Sequence, residues 1–207
     1  EALYPGRIDL GIGRAPGTDM ATALALRRSE ALLNADNFPQ ELAELVAFAT
    51  GSFPDGHPFK SITAYPNDVP LPPIWLLGSS GFSSQLAAQR GTGFAFAHHI
   101  NARAAIPAML TYRQNFRPSE QFPRPHAILA ASVICAETDE AAEDLALTFA
   151  FVFFSLQTGR SGPMLSPEEI KALPLTDIER AMLRAIMDQH IVGSPATVRA
   201  RLSELIE

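Results

Sequence analysis

Short apolar runs alternate with stretches of helical periodicity along this chain. Residues 8–13 (IDLGIG) are apolar and partly β-branched, entered through YPGR and left through GRAPGTD, whose glycines and proline mark a loop. A strand is predicted between them. Residues 20–33 contain good helix formers. Within residues 40–50, Leu42, Leu45, Val46 and Ala49 recur at i, i+3, i+4 and i+7, the stripe of a helix buried on one side. Residues 51–73 are rich in Gly, Pro and Asp and predict irregular chain, with a short strand at SITAY.

From residue 74 the pattern becomes regular. Strands are predicted at 74–77, 93–97 and 126–135, and helices at 82–90, 103–116 and 137–156, the last with Thr138 as N-cap. QTGRSGPML reads as a loop. SPEE and TDIE are capping boxes that open two further helices, and Ser194-Pro195 opens a final one. Parallel strands need crossover connections, so strands alternating with helices predict a parallel sheet. Runs that are apolar at every position predict helices on both faces of it. A doubly wound sheet and a barrel satisfy this pattern equally. No internal repeat interrupts the 207 residues, which one domain can span with a sizeable core.

Charge removes some function classes. A net charge of −6 argues against a nucleic-acid binder, which usually carries a basic face. Cys135 is the single cysteine and lies in an apolar run, so a buried structural thiol in a reducing, cytoplasmic setting is expected. No apolar run approaches the roughly 18 residues that cross a bilayer. The longest, 146–156, is interrupted by Thr148 and Ser155 and predicts a buried helix. The start lacks the charged and apolar segments of a secretory signal. The chain opens on EALYPGRIDL, already near a strand, and closes inside a helical pattern, ARLSELIE, as a part of a longer polypeptide would.

Three stretches could carry chemistry. At Gly78-Ser79-Ser80-Gly81-Phe82-Ser83 a predicted strand turns into a helix. Glycines permit close backbone approach, the helix start offers free N–H groups, and the serines add hydroxyl donors, which together suit a phosphate. An N-cap serine in an ordinary turn explains the same residues. In GIGRAPGTD, Arg14 leaves the C-terminal end of a strand, where a guanidinium can pair with phosphate in bidentate fashion; a surface arginine is the plain alternative. Neither a dinucleotide fingerprint nor a P-loop is present. Finally, His98 and His99 end the run FAFA. Neighbours on a strand point to opposite sides, so at most one is expected to face a pocket. No accompanying ligand spacing supports a metal site.

Taken together, YPGRIDLGIGRAPGTD, IWLLGSSGFSSQLAAQRGTGFAFAHH, VICAETDEAAEDLA and IVGSPATV resemble the bacterial luciferase-like flavin monooxygenases, specifically their alkanal-monooxygenase-like group. The resemblance covers nearly the whole chain, with four motifs in order. It implies a TIM (β/α)8 barrel that binds FMN at the C-terminal ends of its strands. It also implies oxygenation of a small organic substrate, such as an aldehyde, with reduced flavin and O2, often with a separate flavin reductase and commonly as a homodimer. By position, Arg14 matches an arginine near the flavin phosphate. Gly78, Ser79, Ser80, Gly81 and Ser83 match the turn that holds that phosphate, and His98 and His99 match the strand end beside the flavin ring. Ser79 stands where light-emitting luciferases carry an acidic residue, so light emission is not implied.

One departure matters. A (β/α)8 barrel needs eight strands and typically about 250 residues. The pattern predicts about four, at 8–13, 74–77, 93–97 and 126–135, which the resemblance makes the fourth to seventh. The first three and the eighth are not among them, and neither is the family's pocket-wall segment. The alternative to an enzyme is therefore a shortened, non-catalytic homologue that binds flavin or dimerises.

Overall fold

The computed structural model describes residues 1–14, 20–27, 37–160 and 162–206. The chain divides into two compact units, Glu1–Phe96 with Ala104–Ile128, and Ala97–Arg103 with Leu129–Glu207. The four-stranded sheet runs β1 (Leu10–Gly13), β2 (Ile74–Gly78), β3 (Gly93–Ala97), β4 (Ala127–Ala130), in that order. β1 pairs β2 in parallel, and β2 pairs β3 in parallel. Phe94 donates its N–H to His126 and His98 donates to Ala130; both partners advance together, so β3 and β4 are parallel too.

Register decides what each face of this sheet carries. Leu76 lies opposite Phe94, and Gly78 opposite Phe96, so these share one face. Leu76, Phe94 and Phe96 have no exposed surface there. Helices α3 (Gly81–Arg90) and α4 (Ala105–Asn115) pack on each other, and α3 packs on β2. Ala87, Ala88 and Tyr112 are fully buried, with the Tyr112 ring 5.3 Å from that of Phe94. Each buried phenylalanine contributes roughly 1.5–3 kcal/mol. The opposite face carries Gly11–Trp75–Gly93 and Gly13–Leu77–Ala95 in register. Leu77 is 41% exposed on it, and both glycines of β1 are exposed. The expectation of cover on both faces is thus corrected in this unit. Leu76, Phe94 and Phe96 lie under helices, while on the other face Trp75 and Gly93 are buried and Gly11, Gly13 and Leu77 are exposed.

Gly93 is required by close approach, since a Cβ there would stand 2.5 Å from the Trp75 indole. Trp75 packs edge-on against Phe122 and His126. Ahead of β2, α1 (Met20–Arg27) begins as expected, and the predicted continuation to 33 lies outside the described residues. α2 (Phe38–Thr50) buries Leu42 and ends at Gly51 in the left-handed region. SITAY forms no strand. The chain before it is held by local ring contacts among Phe48, Phe53, His57 and Phe59.

In the second unit, the run predicted as one strand at 126–135 is split. β5 (Val133–Cys135) follows a break at residues 131–132 and pairs in parallel with β6 (Ile191–Gly193) in a separate two-stranded sheet. IVG, where no strand was predicted, is therefore a strand too short for periodicity to show. Cys135 is exposed, not buried, because Val133 and Cys135 share the uncovered side of β5. α5 (Asp139–Thr158) buries Ala142, Ala146, Ala150 and Phe154 at i, i+4 spacing. α6 (Pro167–Ala172) and α7 (Asp177–Met187) open with the two expected capping boxes, and α8 (Pro195–Ile206) closes the unit. The Thr138 hydroxyl accepts from the Ala141 N–H, as an N-cap should. Among the described residues no helix is long and apolar enough to cross a membrane. The architecture is α/β with parallel strands, the barrel type left open.

Candidate functional site

In the first unit, Arg14 and the serine turn come together. Arg14 follows the last residue of β1, and its guanidinium carbon lies 4.2 Å from the centre of the Phe82 ring. Phe82 is the second residue of α3. The two stretches are separated by more than sixty residues, and parallel pairing of Gly13 with Leu77 brings their strand ends level. Among the described residues Arg14 has no carboxylate partner. Its charge stands at the C-terminal ends of the strands, where ligands of α/β proteins bind.

The helix start beside it is open as well. Ser80 is the N-cap, extended at φ −145° and ψ 170°, yet its side chain makes no capping hydrogen bond. Ser80 thus holds the N-cap position the plain reading gave a serine, while its hydroxyl is not spent on a capping bond. No acidic residue occupies the first turn of α3, so its N–H groups and positive dipole end are not answered by a side-chain anion. Ser80 and Gly81 are exposed.

Gly78 and Ser83 hold the turn closed. Ser83 is 4% exposed, and its side chain lies against the Cα of Gly78, where a Cβ would come within 2.5 Å of the Ser83 Cβ. Ser84 is fully buried and donates to the Gly81 carbonyl at 2.8 Å, an internal bond of the first helical turn. Ser79 is half-buried at the end of the strand.

His98 and His99 belong to the second unit and do not lie on a strand. β3 ends at Ala97, and residues 98–100 turn, with the Ile100 and Asn101 N–H groups both donating to the Ala97 carbonyl. Strand alternation therefore does not separate the two rings. The His98 backbone N–H donates to the Ala130 carbonyl at 3.1 Å, and the His99 ring Nδ1 lies 3.0 Å from the same oxygen. A carbonyl can only accept, so Nδ1 of His99 carries the proton, and Nε2 keeps a lone pair when the ring is neutral. Burial, and then the charge of His99, hold the His98 ring below the usual histidine range.

His190 was passed over by the sequence reading. It is 2% exposed just before β6, its Nδ1 is buried without a partner, and its ring sits 5.1 Å from that of Phe149. Burial, and secondarily the charge of His99, lower its pKa. Its one sequence signal was a histidine heading the apolar IVG. Among the described residues no group of histidine, cysteine or carboxylate side chains could hold a metal.

A cavity of about 720 Å³ in the first unit lies elsewhere, against Leu42, Val46, Leu71, Ile74, Arg90 and Thr92. Ile74 begins β2 and Thr92 precedes β3, so this cavity sits at the N-terminal strand ends. Charge and open donors favour the Arg14 end as the site of chemistry.

Comparison with known proteins bears on the family and the fold. A family model described as luciferase-like monooxygenase matches residues 1–207. The uncharacterised protein YvbT of Bacillus subtilis (strain 168) is 40% identical over 207 residues, covering all of this chain and 60% of that protein. A luciferase-like monooxygenase of Escherichia coli (strain K12) is 37% identical over 204 residues, covering 99% of this chain and 59% of its own length. The solved structure of apo-MsnO8 superposes with a TM-score of 0.76 at 32% identity, covering 98% of this chain and 59% of that one. The chain thus spans about 60% of the length of the relatives it matches. With the whole chain matched in sequence and its parallel strands matched in space, it belongs to the luciferase-like monooxygenase family.

Proposed function

We propose that this chain carries the FMN phosphate site of a flavin-dependent monooxygenase. The observation that supports this reading is the seat of the Arg14 guanidinium on Phe82, the second residue of α3, beside a helix start with no acidic residue in its first turn. A phosphate dianion fits both: the guanidinium offers charge and paired donors, and the first-turn N–H groups offer a helix terminus. Ser79 and Ser80 would add hydroxyl contacts, and Ser83 would act from beneath by holding the turn against Gly78. The flavin, when bound in its reduced form, supplies the electrons that activate O2 toward a small organic substrate such as an aldehyde.

This chain's residues then bind and orient. Arg14 and α3 anchor the phosphate, and Leu77, exposed beside Gly11 and Gly13, borders the same strand ends. His98 and His99 are the candidate substrate-pocket residues. His99, held through Nδ1 by Ala130, would present Nε2 to a polar substrate group. A separate reductase supplying reduced flavin, and a homodimer, complete the reading.

The test is an FMN titration followed by quenching of flavin fluorescence. Binding in the micromolar range, weakened at least about tenfold by Arg14→Ala with Ser80→Ala, supports the site. Binding absent at tens of micromolar, or indifferent to both substitutions, refutes it. If FMN binds but reduced FMN with an aldehyde in air gives only peroxide, the chain is a flavin-binding homologue without catalysis.

A further inference from the structure

We propose that Phe82 is a positioning residue for Arg14, and that through it the ring sets preference for a phosphorylated over an unphosphorylated flavin. This rests on the flavin reading above. Arg14 leaves β1 as the chain enters a Gly- and Pro-containing stretch, where backbone alone restrains a long side chain poorly. Its guanidinium nevertheless has a defined seat, 4.2 Å from the Phe82 ring centre. A ring face attracts the cation through its quadrupole but accepts none of its in-plane N–H donors in the ordinary way. The arginine is thereby held while its donors remain available to an anion. A carboxylate partner would hold it too, but would consume both charge and donors.

The position of Phe82 is equally specific. As the second residue of α3 it belongs to the same helical turn whose N–H groups face the anion, so arginine and helix start are held as one unit. The ring is half-buried, and α3 is fixed to β2 through Ser83 against Gly78. Removing the ring's face should leave the helix in place and release the guanidinium. The consequence is selective: the phosphate group of FMN loses an oriented partner, whereas riboflavin, which lacks that group, loses nothing.

The experiment compares FMN and riboflavin affinities in the intact protein for wild type, Phe82→Leu, Phe82→Tyr, Arg14→Ala and the Phe82→Leu/Arg14→Ala double variant. Thermal unfolding is measured for each. Phe82→Leu should weaken FMN about fivefold, the scale of a cation–π contact at a partly exposed site, with riboflavin unchanged. Phe82→Tyr should restore FMN affinity, and Phe82→Leu should have no further effect once Arg14 is gone. Equal losses for both flavins, a Phe82→Leu effect that persists without Arg14, or no Phe82→Leu effect while Arg14→Ala weakens FMN, each overturns the role of Phe82 and leaves the phosphate site standing. A wild type that binds neither flavin overturns the flavin reading itself and this inference with it.

Discussion

Gly78→Ala puts the geometry of the serine turn to a direct test. The added methyl would stand 2.5 Å from the Ser83 Cβ, and closer still to its Oγ. Ordinary carbon contacts fall at about 3.5–4.0 Å, so the overlap is about 1 Å. Ser83 cannot swing clear, because it is 4% exposed on the first turn of α3. The helix start must therefore move off β2 by about that amount. Overpacking of this kind costs about 1–3 kcal/mol, and about 2 kcal/mol lowers Tm by roughly 4–8 °C in a chain of this size. The same displacement takes the α3 N–H groups out of the narrow hydrogen-bond range of about 2.7–3.2 Å, so FMN affinity falls as well. Thermal unfolding read by Trp75, the sole tryptophan, together with an FMN titration, measures both effects. Ser83→Ala removes only the hydroxyl and should not rescue the variant. Ser83→Gly removes both clashing atoms, and on that background Gly78→Ala should be nearly neutral. A Gly78→Ala protein within about 1 °C of wild type, or one unrescued by Ser83→Gly, would falsify this account.

Three further outcomes follow from polar groups held by burial or hydrogen bonds. Tyr112 is fully buried; its hydroxyl donates to the Thr92 carbonyl at 2.8 Å and accepts from the His126 N–H at 3.1 Å. Tyr112→Phe strands that N–H and should cost about 1–3 kcal/mol in chemical denaturation; an unchanged midpoint rejects the clasp. Asp139 accepts from the Ser194 N–H at 2.5 Å and from the Thr197 hydroxyl at 3.1 Å, which hold its carboxyl below the usual range. A depressed carboxyl contributes stability above its unfolded pKa and loses it as pH falls through the folded value, so Asp139→Asn should flatten the acid limb of the stability curve; an identical acid limb refutes this. His98 and His190 are likewise depressed, chiefly by burial, so both should titrate below free histidine by NMR and stability should fall as they protonate. His190→Phe, whose ring joins Phe149, should reduce that acid sensitivity, and a His190 that titrates normally contradicts its burial.

Much of this protein was legible from local pattern. The capping boxes at Ser166 and Thr176, the Thr138 cap and the runs that became β1, β2 and β3 are decided within a few residues, so periodicity and cap chemistry suffice; the stripe predicted in α2 holds only at Leu42, since Leu45 is exposed and Phe38 and Ala47 are buried instead. The family was legible too, because motif order is a property of the chain. What only the tertiary structure decided involves partners distant in sequence. A three-residue strand such as Ile191–Gly193 has no periodicity of its own and exists because β5 pairs with it. The run at 126–135 looks like one strand, yet it feeds two sheets. Apolar residues at every position concealed that one sheet face is fully covered at Leu76, Phe94 and Phe96 while the other leaves Leu77 exposed, and the same uncertainty made Cys135 look buried. Above all, the sequence names Arg14 and Phe82 but cannot place one over the other. Parallel pairing of β1 with β2 brings their strand ends level and seats the charge of Arg14 on the Phe82 ring.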